Sequence, residues 1–181
     1  MTFSVRTNAF VSAVVLVCAS CASCASAPPP ATTPGVIPPV PGVPRDLGSI
    51  RVLDITEGSG VGYAPRKCVY THYTGWLADG TRFDASRDVR NGAAGEPVGF
   101  AQGTKQVIDA WELGFEGMRV GSARRLFVPW RLGYGVRGNP PLIPARSDLV
   151  FDVELMGVAD TLPHRSGSAS CPDWRLVRAR G

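Results

Sequence analysis

The sequence predicts an α+β fold: a curved antiparallel sheet of five to six strands, a half-barrel, wrapped around one short helix. Three observations lead there. Short runs with a two-residue apolar period recur between Ser49 and Met156. Only residues 105–116 carry a clear helical stripe, with Val107, Ile108, Trp111 and Phe115 on one side. No strand–helix–strand alternation is present, so a lone helix must bury its stripe against one face of a sheet.

Each element follows from local chemistry. Ile50, Val52 and Ile55 mark a first strand. Residues 67–77 (KCVYTHYTGWL) are rich in β-branched and aromatic types and form the strongest strand. Alternation places Val69, Thr71 and Tyr73 on one face and Cys68, Tyr70 and His72 on the other. Ala78-Asp79-Gly80 is a turn, and Thr81 to Asp84 opens the next strand. Residues 86–96 are a polar, glycine-rich loop, followed by a short strand from Pro97 to Phe100. After the helix, whose end Gly114 and Gly117 weaken, come strands at 122–128 and 148–156. In the last strand Leu149, Phe151, Val153 and Leu155 face one way and Asp152 and Glu154 the other. A long loop from Pro129 to Ser147 separates these two strands.

The chain has 181 residues, 44% hydrophobic and 19% charged, which excludes wholesale disorder, collagen and coiled coil. Net charge is +4. Residues 45–158 carry 14 basic against 13 acidic side chains, so no basic face exists and nucleic acid is excluded as a partner.

Residues 1–27 have the order of a secretory signal peptide: a polar start with Arg6, an apolar run from Ala9 to Ala19, then small residues. The run is about half the ~20 residues a membrane span needs. Two readings of its processing stand side by side. Cleavage after Ala25-Ser26-Ala27 gives a soluble exported protein, although Pro28 then follows the scissile bond. Acylation of Cys21 or Cys24, each preceded by Ala-Ser, gives a lipoprotein tethered to the membrane. The expected location is the periplasm, free or lipid-anchored to the cell envelope. Residues 28–44 hold eight prolines and no charge, a polyproline-like linker rather than a packed element. The domain is expected over 45–158 and a tail over 159–181.

Conventional catalytic chemistry is missing. Only His72 and His164 are present, and no metal-ligating cluster or phosphate loop occurs in the mature part. No cofactor or metal is expected. A reaction on this chain is one that a shaped apolar cavity can catalyse. Cys68 and Cys171 are the only thiols left once the leader is removed after Ala27. Cys68 points away from the core face and export permits oxidation, so a Cys68–Cys171 disulfide is one reading, beside two free cysteines and pairing between chains.

Residues 70–88 (YTHYTGWLADGTRFDASRD), 107–129 (VIDAWELGFEGMRVGSARRLFVP), 132–135 (LGYG) and 149–155 (LVFDVEL) resemble, in order, the FKBP-type peptidyl-prolyl cis–trans isomerases in an exported bacterial form. The resemblance covers roughly residues 46–158. It implies an antiparallel sheet around a short helix, with an aromatic hollow between them. It implies that Tyr73, Asp84, Trp111, Tyr134 and Phe151 act on the substrate, with Trp111 as the floor. Phe83, Phe100, Val107, Ile108 and Ile143 are implied to bind it. Proline-containing polypeptides are the implied partners, a macrolide is a further implied ligand, and the chain is expected to work as a monomer. Two departures bear on substrate preference and macrolide affinity. Val98 stands where many members have an aromatic, and Asn139 replaces a common histidine. The loop 86–96 is longer than in minimal members, so Arg90 and Arg87 compete as the expected partner of Asp84. Two rival readings remain on the same fold: a non-catalytic peptide-binding chaperone and a structural envelope lipoprotein.

Overall fold

The structure, a computed structural model, describes residues 35–89, 93–163 and 169–178. The leader with Cys21 and Cys24, Arg90, His164 and Arg180 lie outside the described residues.

Strands β1 (Arg45–Leu47), β2 (Ile50–Thr56), β3 (Cys68–Leu77), β4 (Arg82–Ala85) and β5 (Val98–Ala101) precede helix α1 (Asp109–Gly114). Strands β6 (Ala123–Val128) and β7 (Leu149–Ala159) follow it. They form one seven-stranded sheet in the order β1-β2-β6-β7-β3-β4, and β5 pairs with β3 along the same edge as β4. Every pairing is antiparallel. This is the open sheet and lone helix that the sequence predicts. The added strand is β1, whose three residues are too short to show alternation. The tail adds a small hairpin, β8 (Leu162–Pro163) with β9 (Ala169–Ser170), and a second helix, α2 (Trp174–Arg178).

The concave face carries the main core. Ile50, Val52, Val69, Leu126, Val128, Leu149, Phe151, Val153 and Leu155 all bury there against Trp111, Phe115 and Phe100. Each such side chain contributes ~1.5–3 kcal/mol. Ile55 is the exception to the expected first-strand pattern. The β2–β6 register shifts between Asp54 and Thr56, and Ile55 is exposed.

Helix α1 is half the predicted length. Gly103 and Lys105 have positive φ, the Thr104 hydroxyl donates to the Ala101 carbonyl (2.6 Å), and the Gln106 side-chain oxygen accepts from the Ala101 N–H (3.0 Å). These local bonds compete with a helix, so the chain reaches α1 through an extended Ile108. Gly114 is required near its end: a Cβ there would lie 2.6 Å from Leu126 Cδ1. Past the helix, the buried Arg124 guanidinium of β6 donates to the carbonyls of Gly114 and Glu116 (both 2.8 Å) and pairs with Asp54. A cation at a helix C-terminus opposes the dipole and satisfies orphan carbonyls. Burial raises the Asp54 pKa, but hydrogen bonds from Arg45 and Arg124 outweigh it and hold the carboxyl below its ordinary value.

Residues 35–44 and the described part of the tail pack on the convex face, the former in place of the unpacked linker expected there. Cys68 and Cys171 form a disulfide, with Cα atoms 5.5 Å apart at a sequence separation of 103. It draws Trp174 onto Tyr70 (centroids 5.3 Å), while the Tyr70 hydroxyl donates to the Pro172 carbonyl (2.6 Å). Gly157 makes room for this, since a Cβ there would lie 2.8 Å from the Trp174 ring. Arg175 pairs with Glu96 (2.9 Å). The tail fails to read as packed because it offers one aromatic and little period.

Two changes test these ties. Cys171→Ser should lower unfolding free energy by ~2–5 kcal/mol in urea denaturation, the range for removing a long-loop disulfide; an unchanged midpoint would mean that the bond constrains nothing. Arg124→Leu should cost ~1–3 kcal/mol by the same measurement, because it leaves the Gly114 and Glu116 carbonyls without their donor.

Candidate active site

The concave face is not completely filled. Between α1 and the β3–β4 hairpin lies a hollow of about 340 Å³, lined by Tyr73, Phe83, Asp84, Val98, Gln106, Val107, Ile108, Trp111, Tyr134 and Phe151.

The sheet builds one wall. Gly75 of β3 stands opposite Asp84 of β4 on one side and Phe151 of β7 on the other. A Cβ on Gly75 would lie 2.6 Å from Phe83 and 2.8 Å from Phe151. The missing side chain lets these two rings meet above the strand, edge to face, with centroids 5.6 Å apart. Two residues back, Tyr73 points to the same side and meets Trp111 edge-on at 5.0 Å. Trp111 also meets Phe151 edge-on at 5.5 Å, so one indole joins the helix to both central strands. Trp111 is buried, and its Nε1–H has no acceptor among the described residues.

The polar groups sit at the rim. The Tyr73 hydroxyl donates to Asp84 Oδ2. Tyr134 is presented by a tight turn at Trp130–Leu132, where the Gly133 and Gly135 N–H groups donate to the Trp130 carbonyl (3.2 and 2.8 Å). Burial and the nearby Asp84 carboxylate push the Tyr134 pKa above 10.0, so its hydroxyl remains a donor at neutral pH. Among the described residues no group of His, Cys, Asp and Glu is arranged to hold a metal.

Eight of the ten residues implied by the resemblance line this hollow: Tyr73, Phe83, Asp84, Val107, Ile108, Trp111, Tyr134 and Phe151. The other two lie behind it. Phe100 is buried between Trp111 (5.9 Å) and Phe115 (5.7 Å), so it backs the indole instead of facing the cavity. Ile143 is buried in the core and pins the long loop, exchanging backbone bonds with Asn139 (2.8 and 3.0 Å). Gln106 also lines the hollow and is absent from the implied set; its place directly before Val107 and Ile108 was the available signal. Val98 forms part of the wall as a half-exposed aliphatic. Arg87 pairs with Glu154, on the far side of the sheet from the hollow. His72, on that convex face too, is buried, and its Nδ1 lies 2.9 Å from Ser86 Oγ. Burial and the Arg87 charge together outweigh Glu154 and lower its pKa, so it is neutral at pH 7.

An aromatic-walled apolar hollow with a rim of hydrogen-bonding groups has the form of a site for a non-covalent ligand. Comparison with known proteins gives the family. The profile described as FKBP-type peptidyl-prolyl cis-trans isomerase matches residues 63–156. An FK506-binding protein of Neisseria meningitidis serogroup A is 42% identical over 112 residues, covering 62% of this chain and 98% of the relative. A peptidyl-prolyl cis-trans isomerase of Arabidopsis thaliana is 44% identical over 115 residues, covering 58% and 72%. The crystal structure of a peptidyl-prolyl cis-trans isomerase from Pseudomonas syringae superimposes with a TM-score of 0.56 at 30% identity, over 65% of this chain and 81% of that one. The chain belongs to the FKBP-type peptidyl-prolyl cis-trans isomerases and is an enzyme of that class.

The Gly75 contact makes a sharp test. Gly75→Ala should force Phe83 and Phe151 apart, costing ~1–3 kcal/mol of stability through overpacking. It should also lower kcat/KM for prolyl isomerisation, with global secondary structure unchanged by circular dichroism. Separately, ultraviolet difference titration of wild type against Tyr134→Phe should place the Tyr134 phenol above 10. Because its folded pKa is raised, its stabilising contribution is complete below pH 10 and is lost only as pH rises through the folded value.

Proposed function

We propose that the hollow holds the proline ring of X-Pro segments in exported polypeptides and eases rotation about the preceding peptide bond. Resonance gives that rotation a barrier of ~18–20 kcal/mol. For X-Pro the two isomers differ by only ~0.5–1 kcal/mol, yet exchange takes tens of seconds or more. No bond needs to break. The twisted imide is less polar at its carbonyl than the planar one, so a dry aromatic enclosure disfavours the planar form more. Every ~1.4 kcal/mol of difference gives a factor of ten.

The observation that carries this reading is the open aromatic hollow itself, about 340 Å³ with its indole floor. In the proposed arrangement Trp111, Tyr73, Phe83 and Phe151 enclose the ring, and Val107 and Ile108 close the helix side. The Tyr134 hydroxyl and the Ile108 N–H hydrogen-bond the substrate backbone. Asp84 orders the rim by accepting from Tyr73 and is not a general base. Phe100 and Ile143 support the site from behind. Val98, smaller than the aromatic common in the family, widens one wall and favours bulky residues beside the proline. The same enclosure suits a macrolide. A non-catalytic chaperone is the weaker reading, because the aromatic wall and its rim donors are all in place.

The export role rests on the leader-like residues 1–27, with the mature protein free in the periplasm or tethered through Cys21 or Cys24. The disulfide supports an oxidising location, since such bonds persist outside the cytosol. The protein acts as a monomer over a domain of residues 45–158, on this reading.

A protease-coupled isomerisation assay on Leu-Pro and Phe-Pro peptides decides the pocket. Trp111→Leu and Asp84→Val should each lower kcat/KM about tenfold or more, a loss of ~1.4 kcal/mol in the transition state, and Tyr134→Phe by less. Unchanged turnover in all three variants would overturn the assignment. Mass spectrometry of the mature N-terminus, with labelled fatty acid incorporation in Cys21 and Cys24 variants, decides the tether.

A further inference from the structure

The convex face of the sheet has a buried patch that the isomerase chemistry does not use. Leu53, Arg125, Trp76 and Val150 are 6%, 6%, 4% and 7% exposed. All lie on the side away from α1 and outside the cluster beneath the tail. The strand register puts them side by side. Leu53, Arg125, Asp152 and Thr74 form one cross-strand row, and Arg51, Phe127, Val150 and Trp76 form the next. A sheet face ordinarily reaches such burial only under a covering layer.

The layer is the proline-rich segment. Its path crosses the sheet from edge to edge. Gly35 lies on the β3–β4 turn, where a Cβ on Gly80 would come within 2.4 Å of the Gly35 carbonyl. Three residues on, the Pro38 carbonyl accepts a hydrogen bond from Arg125 Nη1 (2.8 Å). A Cβ on Gly42 would lie 2.6 Å from Leu53 Cδ1, after which the chain enters β1. Ile37 and Val40 are half-buried while Val36, Pro38, Pro39 and Pro41 are exposed. That three-residue spacing is one ridge of a polyproline helix, which has three residues per turn and no internal hydrogen bonds.

We infer that this convex face is a second recognition site for an uncharged proline-rich segment, separate from the hollow, and that its occupant is the chain's own residues 35–43. The site has the parts such recognition needs. Asp152 grips Arg125 through two bonds (2.6 and 2.8 Å), which aims the third guanidinium nitrogen at the incoming carbonyl. Trp76 lies beneath the same guanidinium, 5.9 Å from ring centroid to Cζ, and supplies an aromatic floor. Leu53 and Val150 extend that floor. Pro38, Pro39 and Pro41 restrict the segment before it docks, so less entropy is lost on binding. Residues 35–43 therefore strap the back of the sheet instead of spacing the domain freely.

Hydroxyl-radical footprinting with mass spectrometry tests this on the full chain by reading oxidation of Trp76. In wild type Trp76 should be protected. Replacing the ridge, Ile37→Asp with Val40→Asp, should raise its oxidation about tenfold, as expected when two aliphatic side chains lose their apolar contact. Trp111 should stay as protected as before, and isomerase turnover should be unchanged, because neither residue belongs to the hollow. Val36→Asp, on the exposed side of the segment, should leave Trp76 protected. Fast Trp76 oxidation in wild type, no increase in the double variant, or an equal increase with Val36→Asp would each overturn the inference. An increase on diluting wild type would do so as well, by assigning the strap to a second copy.

Discussion

A six-residue helix cannot hold itself together in water, because nucleation costs more than its few hydrogen bonds return. Helix α1 exists because both ends are held from outside. At one end the extended Ile108 follows a turn set by Thr104 and Gln106 bonding back to Ala101. At the other the Arg124 guanidinium takes the final carbonyls while Asp54 balances its charge. The indole of Trp111 is carried by this short element; Tyr73 and Phe151 of the hollow meet it edge-on, and Phe100 backs it at a tilt. The cavity is thus only as well defined as one buried arginine makes it.

Packing of aromatic rings then decides what remains open. Phe83 and Phe151 close over Gly75, Phe100 and Phe115 fill the space behind Trp111, and Ile143 locks the loop that presents Tyr134. Side chains this tightly interlocked leave a hollow whose shape is a property of the folded state and needs no ligand to form it. Its chemistry is correspondingly spare: enclosure, a few donors, and a carboxylate that orders a tyrosine.

The sheet was legible in the sequence because its period is strong where it matters. Alternation in 67–77 and 148–156 assigns Val69, Tyr73, Phe151 and Val153 to the helix side, as they stand. The hollow was legible only through resemblance, since Trp111 and Phe151 taken singly read as ordinary core. That reading also describes Phe100 and Ile143, which the family pattern groups with the wall but which pack behind it. Helix length was overread because a stripe through Val107 and Ile108 is compatible with helix, while the competing bonds of Thr104 and Gln106 are visible only in three dimensions. The packing of 35–44 and of the tail was not legible, because a covering layer for a twisted sheet depends on which face is left open, and that is a tertiary property.

With the chain leaving over the back of the sheet at Gly35, mechanical load has a defined route. Tension entering at Gly35 would first meet its contact with Gly80 in the β3–β4 turn, then the Pro38–Arg125 bond and the Leu53 contact, and next the paired strands β1 and β2. Helix α1 lies on the other side of the sheet, out of that line. A pull at Gly35 would then load the rear face and the tip of the β3–β4 hairpin before it reached the helix.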